Sequence, residues 1–189
     1  MNVLKLKLVG TRPLLLHSDI GTNALHPLTK AHKELTTKKK KTDEDLENIA
    51  KSEWLMALYY SKEFGVYLPG VNVESCIVAG AKLSRLGTTV KRGVEVVETY
   101  CPLEYKGPRD PEGLWKAAFY DARSVKLPSG RVIRYRPMFD TWSLEVQVAF
   151  DAEVISESEL LKSINDAGSL VGLGDFRPRF GRFTVEVLK

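Results

Sequence analysis

WSLEVQVAFDAEVISESELLKSINDAGSLVGLGDFRPRFGRFTVEVL, residues 142–188, changes its hydrophobic period twice. Trp142, Leu144, Val146, Val148 and Phe150 alternate with Ser143, Glu145 and Gln147, which predicts a strand with one dry face. Ser156 and Glu159 then form the reciprocal cap of a helix whose inner stripe is Leu160, Leu161, Ile164, Ala167 and Val171. After the helix the alternation resumes and places Phe183, Val185 and Val187 inward. The connection between them, VGLGDFRPRFGRF (171–183), holds three glycines, three arginines and three phenylalanines. Gly172 or Gly174 can end the helix in left-handed backbone, Pro178 prevents its continuation, and Phe176 and Phe180 can cover the core edge. One glycine suffices for that. Repeated glycines let main chains approach closely and expose amide donors, and Arg177, Arg179 and Arg182 bring fixed positive charge to the same place, a surface suited to phosphate.

The chain opens with the same alternation: in VLKLKLVG, Leu4, Leu6 and Leu8 oppose Lys5 and Lys7, and Pro13 marks an edge or bulge beyond this first strand. From Asp19 to Lys41 the residues turn polar, through GTN and HP to KKKK, which predicts a long mobile loop with at most one short helix. Thr42 caps the next helix, whose acidic first turn suits the helix dipole and whose apolar face is Leu46, Ile49, Ala50, Trp54, Ala57 and Leu58. A short strand around VYL stops at Pro69 and Gly70. Asn72 is placed to cap a second helix with a small packing side of Val73, Ile77, Gly80 or Ala81, and Leu83 or Ser84. Residues 93–105 read as strand material broken by Pro102, and GPRDPEGLW reads as a loop. KLPSGRVIRYRP reads as a hairpin turned at Ser129 and Gly130, with Arg134 and Arg136 on one side of its second strand. Strand, helix, strands, strand, helix, strand is the order of a ferredoxin-like (RRM-like) α+β fold, an antiparallel sheet with helices on one face, here with a long insertion after the first strand. No linker separates two cores, so residues 1–189 read as a single domain carrying 19–41 as a mobile basic insertion.

A hydrophobic content of 43% and a charged content of 28% are those of a folded globular protein. No apolar run approaches the roughly 20 residues of a membrane-spanning helix, and the N-terminus lacks signal-peptide regions, so a cytoplasmic protein without membrane partners is expected. Cys76 and Cys101 have no CxxC companion and read as buried, inert thiols; no metal or other cofactor is suggested. The net charge of +4 points to an anionic partner, and its distribution sharpens the point. Lys30, Lys33 and Lys38, Lys39, Lys40, Lys41 form one block, Lys82, Arg85, Lys91 and Arg92 a second, Arg131, Arg134 and Arg136 a third, and the terminal loop a fourth. A Walker loop would need GKS or GKT, and a dinucleotide fingerprint a strand before its glycines; here a helix precedes them. GxSxG, HExxH and kinase signatures are absent. A basic glycine-rich loop beside a four-stranded sheet, with Phe176 or Phe180 available to stack on a base, suits a single nucleic-acid strand.

GLGDFRPRFGRF, with its glycines at Gly172, Gly174 and Gly181 between the last helix and last strand, resembles the signature of the RAMP superfamily of CRISPR-associated RNA-binding proteins, and LKLVGTRPLLLHS is similar to their first strand. The resemblance covers residues 1–18 and 155–189 together with the element order, and is to the backbone subunits that polymerise along guide RNA. It implies a non-enzymatic binder of single-stranded nucleic acid, RNA favoured, acting as copies of itself in a filament or ribonucleoprotein. The expected contacts are Gly172, Gly174, Phe176, Arg177, Arg179, Gly181 and Arg182, the lysines 38–41, Lys82, Arg85, Arg134 and Arg136. It also implies that the segment 19–41 grips RNA or a neighbouring copy. Binding should then fall by roughly 0.7 log units per log unit of salt for each phosphate contact. Two alternatives stand beside this expectation. One is a metal-independent endoribonuclease of the same superfamily using His17, His26 or His32, although none has a partner at a readable spacing. The other is a viral interaction protein that imitates a CRISPR subunit; a phage-borne or stand-alone relative would carry the same residues.

Overall fold

The structure, a computed structural model, describes residues 1–128 and 130–189. Among these the chain forms β1 (Asn2–Gly10), β2 (Leu14–Leu15), α1 (Pro27–Thr37), α2 (Asp43–Ala57), β3 (Tyr60–Ser61), β4 (Gly65–Pro69), α3 (Gly70–Leu83), α4 (Gly87–Gly93), β5 (Val94–Val96) and β6 (Tyr100–Pro102). It continues with α5 (Pro111–Lys116), β7 (Tyr120–Leu127), β8 (Gly130–Phe139), β9 (Ser143–Phe150), α6 (Glu157–Asp166) and β10 (Phe183–Leu188). A 3₁₀ turn spans Asp19–Thr22 and a π turn Ala167–Val171. The fold is thus mixed α and β with antiparallel sheets, divided into two compact units: Met1–Leu14 with Ser61–Lys106 and Asp140–Lys189, and Leu15–Tyr60 with Gly107–Phe139. Among the described residues no helix is long and apolar enough to cross a membrane.

The first unit is built on a four-stranded sheet of order β10-β1-β9-β5 in which each pairing is antiparallel. Strict alternation sets the register: Leu6 lies opposite Val146 and Val187, and Lys7 opposite Glu145 and Glu186. Leu4, Leu6, Leu8, Leu144, Val146, Val148 and Phe183 are buried on the dry side. Of the helices of this unit, α3 and α6 touch at Gly80, where any Cβ would run into the Ser163 carbonyl and the Ala167 amide. The Ser156–Glu159 capping box starts α6 as expected, and Leu160 and Ile164 are fully buried.

Three apolar residues with the right spacing are nevertheless exposed: Leu46, Leu83 and Val187. Period fixes the direction of a side chain but not where the neighbouring surface ends. Asn72 does not cap α3. The helix already begins at Gly70, after Pro69, with no side-chain cap, and the Gly70 N–H donates to the Thr99 carbonyl (3.0 Å).

In the second unit the polar segment after β2 is largely helical. His26 Nδ1 accepts from the Leu28 N–H (3.2 Å), Pro27 supplies the first helical φ, and the half-buried stripe Leu28, His32 and Leu35 turns α1 toward α2. The Thr42–Asp45 capping box starts α2, and Trp54 fills the core, its indole N–H donating to the Phe119 carbonyl (2.9 Å). GPRDPEGLW is not all loop: Asp110 caps the short α5 and Leu114 is fully buried. The β7–β8 hairpin pairs Arg123 with Arg134 and Asp121 with Arg136. Gly130 opens β8 at φ 137; Ser129, the other residue assigned to the turn, lies outside the described residues.

Candidate nucleic-acid interface

The terminal loop is closed by main chain. Gly172 (φ 85) follows the π turn, and its N–H donates to Ala167 (2.8 Å). The Leu173 N–H donates to the Gly181 carbonyl and the Gly181 N–H to the Pro13 carbonyl, both at 2.8 Å, while Thr11 N–H donates to Arg182 (2.8 Å). A Cβ at Gly172 would meet the Phe180 carbonyl, and one at Gly181 (φ 72) the Leu173 carbonyl. The glycines therefore serve close main-chain approach, but the amides of Gly172 and Gly181 donate within the protein rather than outward. Cys76 secures the same base: its Sγ donates to the Gly172 carbonyl (3.2 Å), and burial pushes this thiol up to about 12. Trp142 braces the N-terminal strand beside it, donating from Nε1 to the Arg12 carbonyl (2.9 Å).

What projects beyond the pinch is aromatic and cationic. Phe176 (φ 54) is exposed and Phe180 buried, their rings 5.8 Å apart, so of the two candidate stacking residues Phe176 is the one at the surface. Arg177 and Arg179 are exposed, and Arg182 donates from Nε to the Pro178 carbonyl (2.9 Å). Among the described residues none of the three forms an ion pair with a carboxylate. A groove of about 560 Å³ runs along the loop, lined by Ala79, Leu170, Gly174, Asp175, Phe176 and Arg177, so one carboxylate shares it with the guanidinium. A second groove, of about 680 Å³, lies between α3 and α4 and carries Lys82, Arg85 and Lys91. The wet face of the sheet is different: Glu186, Lys7 and Glu145 form one row across three strands, and Glu104 adds an ion pair to Lys7 (2.9 Å). Carboxylates outnumber amines in that row, whereas the α3–α4 groove carries three cations and one carboxylate.

In the second unit the lysine block folds onto the start of α2. Lys38 Nζ donates to both Asp45 oxygens (2.7 and 2.8 Å) and Lys41 Nζ to the Lys38 carbonyl (2.8 Å), leaving Lys39 and Lys40 exposed. Asp45 is held down to about 2, first by Lys38 and then by the Thr42 amide. Arg134 pairs with Glu53 (2.6 Å), whose other oxygen accepts from the Tyr135 amide (3.3 Å). A cavity of about 580 Å³ is lined by His17, His32, Glu53, Lys126, Arg134 and Arg136. His26 stands apart as the cap of α1. His32 Nδ1 lies 2.7 Å from Ser52 Oγ, and that hydroxyl sends its one proton to the Ile49 carbonyl (2.9 Å). Nδ1 is therefore the donor, Nε2 keeps its lone pair, and burial lowers the imidazole's pKa. The grouping of His17, His32 and Lys126 escaped sequence reasoning because no local pattern links residues so far apart. Among the described residues no three His, Cys, Asp or Glu side chains are arranged to hold a metal ion.

Neither a protein-family model nor a curated protein matches the chain.

Proposed function

We propose that this protein is a non-enzymatic binder of single-stranded nucleic acid, RNA favoured, with a ferredoxin-like first unit related to the RAMP superfamily, and that it coats its strand in repeated copies. The observation that carries the reading is the glycine-pinched loop, which holds Arg177 and Arg179 exposed and, among the described residues, outside any ion pair, next to exposed Phe176. Charge recruits the phosphates and the ring stacks on a base, worth about 1–3 kcal/mol per base. The sheet order supports the same reading: β1 reaches β5 through α3, β9 reaches β10 through α6, and the order β10-β1-β9-β5 interleaves the two crossovers as a split βαβ pair does. Fluorescence anisotropy with labelled oligouridylate and oligothymidylate at two salt concentrations tests it. Binding should weaken with salt and fall further in the Arg177→Ala/Arg179→Ala variant; no binding of either strand at low salt overturns the reading.

A second reading, metal-independent RNA cleavage, is favoured by one observation, the neutral imidazole of His32 in a cavity with Lys126, Arg134 and Arg136. A positioned general base supplies roughly 10²–10⁴ in rate. Labelled hairpin RNA incubated with EDTA should be cut by the wild type and spared by His32→Ala if this reading is right; RNA left intact by the wild type refutes it.

A further inference from the structure

Helix α3 ends in a Schellman turn: the Leu86 N–H donates to Ala81 (2.9 Å) and the Arg85 N–H to Lys82 (3.1 Å). The residue between these bonds must be left-handed, and glycine is its natural occupant. Here the position is Arg85, at φ 62. Its side chain is exposed and lines the α3–α4 groove with Lys82 and Lys91, and among the described residues none of the three forms an ion pair. Gly87 shapes the same groove, since a Cβ there would collide with the Lys82 side-chain stem, which lies over it. The one carboxylate of the lining, Glu74, accepts from the Val96 amide (3.3 Å). The Schellman bonds consume the Ala81 and Lys82 carbonyls, which mutes the negative end of the helix.

We infer that the α3–α4 groove is a second phosphodiester-binding site, in which Arg85 keeps a strained backbone conformation so that its guanidinium can meet a phosphate. The inference rests on the proposed nucleic-acid reading and names a contact that the terminal loop does not supply. Strain of this kind is retained where a side chain has a task that glycine cannot perform. The chemistry is that of a polyanion: three cations, with the Ser75 and Thr88 hydroxyls as further donors along the groove.

The test sets stability against binding. Arg85→Gly removes the charge and the strain together, so Tm should rise by about 2–4 °C while the slope of log affinity for oligouridylate against log salt becomes shallower by about 0.7. Arg85→Ala removes the charge but keeps the left-handed conformation, and should weaken binding without the gain in Tm. Amide NMR shifts of full-length protein titrated with inorganic polyphosphate provide an arm free of nucleic acid, with α3 and α4 expected to respond in the wild type and not in Arg85→Gly. If the wild type binds RNA and Arg85→Gly binds it with the same affinity and slope, the inference falls and the loop reading stands. If polyphosphate moves α3 and α4 but no nucleic acid binds, the loop reading falls and the anion site stands. If neither binds, both fall.

Discussion

Replacing Gly181 with alanine is expected to open the terminal loop at its base. Gly181 sits at φ 72, where an L residue costs about 1–2 kcal/mol. The added methyl would also drive into the Leu173 carbonyl, and the main chain has little room to yield. It is tied by the Leu173-to-Gly181 and Gly181-to-Pro13 hydrogen bonds, both 2.8 Å, each worth about 1 kcal/mol net. Together these losses come to about 3–4 kcal/mol. At about 2–4 °C per kcal/mol for a chain of this size, Tm should fall by about 6–16 °C. Urea denaturation followed by tryptophan fluorescence gives the free energy, and scanning calorimetry the Tm. Gly21→Ala is the control: nothing lies within 4 Å of its new methyl, and its effect should stay within about 0.5 kcal/mol. A loss below about 1 kcal/mol for Gly181→Ala would refute the account of the loop as two main chains held in contact.

Asp45 is ionised above its ordinary value of 3.8 and is held down to about 2 in the fold, so its contribution is present above pH 3.8 and lost as pH falls through 2; the urea midpoint of Asp45→Asn should lack that acid-side decline. His32 acts in the same direction at higher pH. Its lowered pKa means that the unfolded chain takes up the proton first, so stability falls as pH drops below 6.5, and His32→Gln should flatten that limb of a stability–pH curve. Cys76 and Cys101, both buried and pushed up to about 12, should resist iodoacetamide at pH 8.5 until urea unfolds the protein; rapid alkylation of the native state would contradict their burial. Trp54→Ala should cost about 3–5 kcal/mol, read as a lowered urea midpoint, because the indole is fully buried and its N–H is bonded to Phe119.

Local patterns carried β1, β9 and α6 from sequence to structure, since alternation and a reciprocal cap are written within a few neighbouring residues. The stripe of α1 was equally local but was overwhelmed by the polar residues around it. Contacts that join distant segments had no such signature. Arg134 and Arg136 were readable as sharing a side of β8, yet Glu53, 81 residues from Arg134, was not readable as a partner. The second unit is assembled from residues 15–60 and 107–139, with elements of the first unit between them in sequence, so no linker composition marks its borders. In the terminal loop the cations were legible; that the glycine amides turn inward became visible only once Pro13 and Ala167 stood beside them.

The carboxylate row of the wet sheet face acts at a distance as well as by contact. Glu186 and Glu145 on either side of Lys7 repel an approaching polyanion over about a Debye length, about 8 Å at physiological salt, while Arg177, Arg179, Lys82 and Lys91 attract it. On the proposed nucleic-acid reading, an incoming strand should therefore be oriented before it touches the surface. Added salt should slow its arrival and not only hasten its departure, and neutralising the two glutamates should speed unproductive encounters with the sheet.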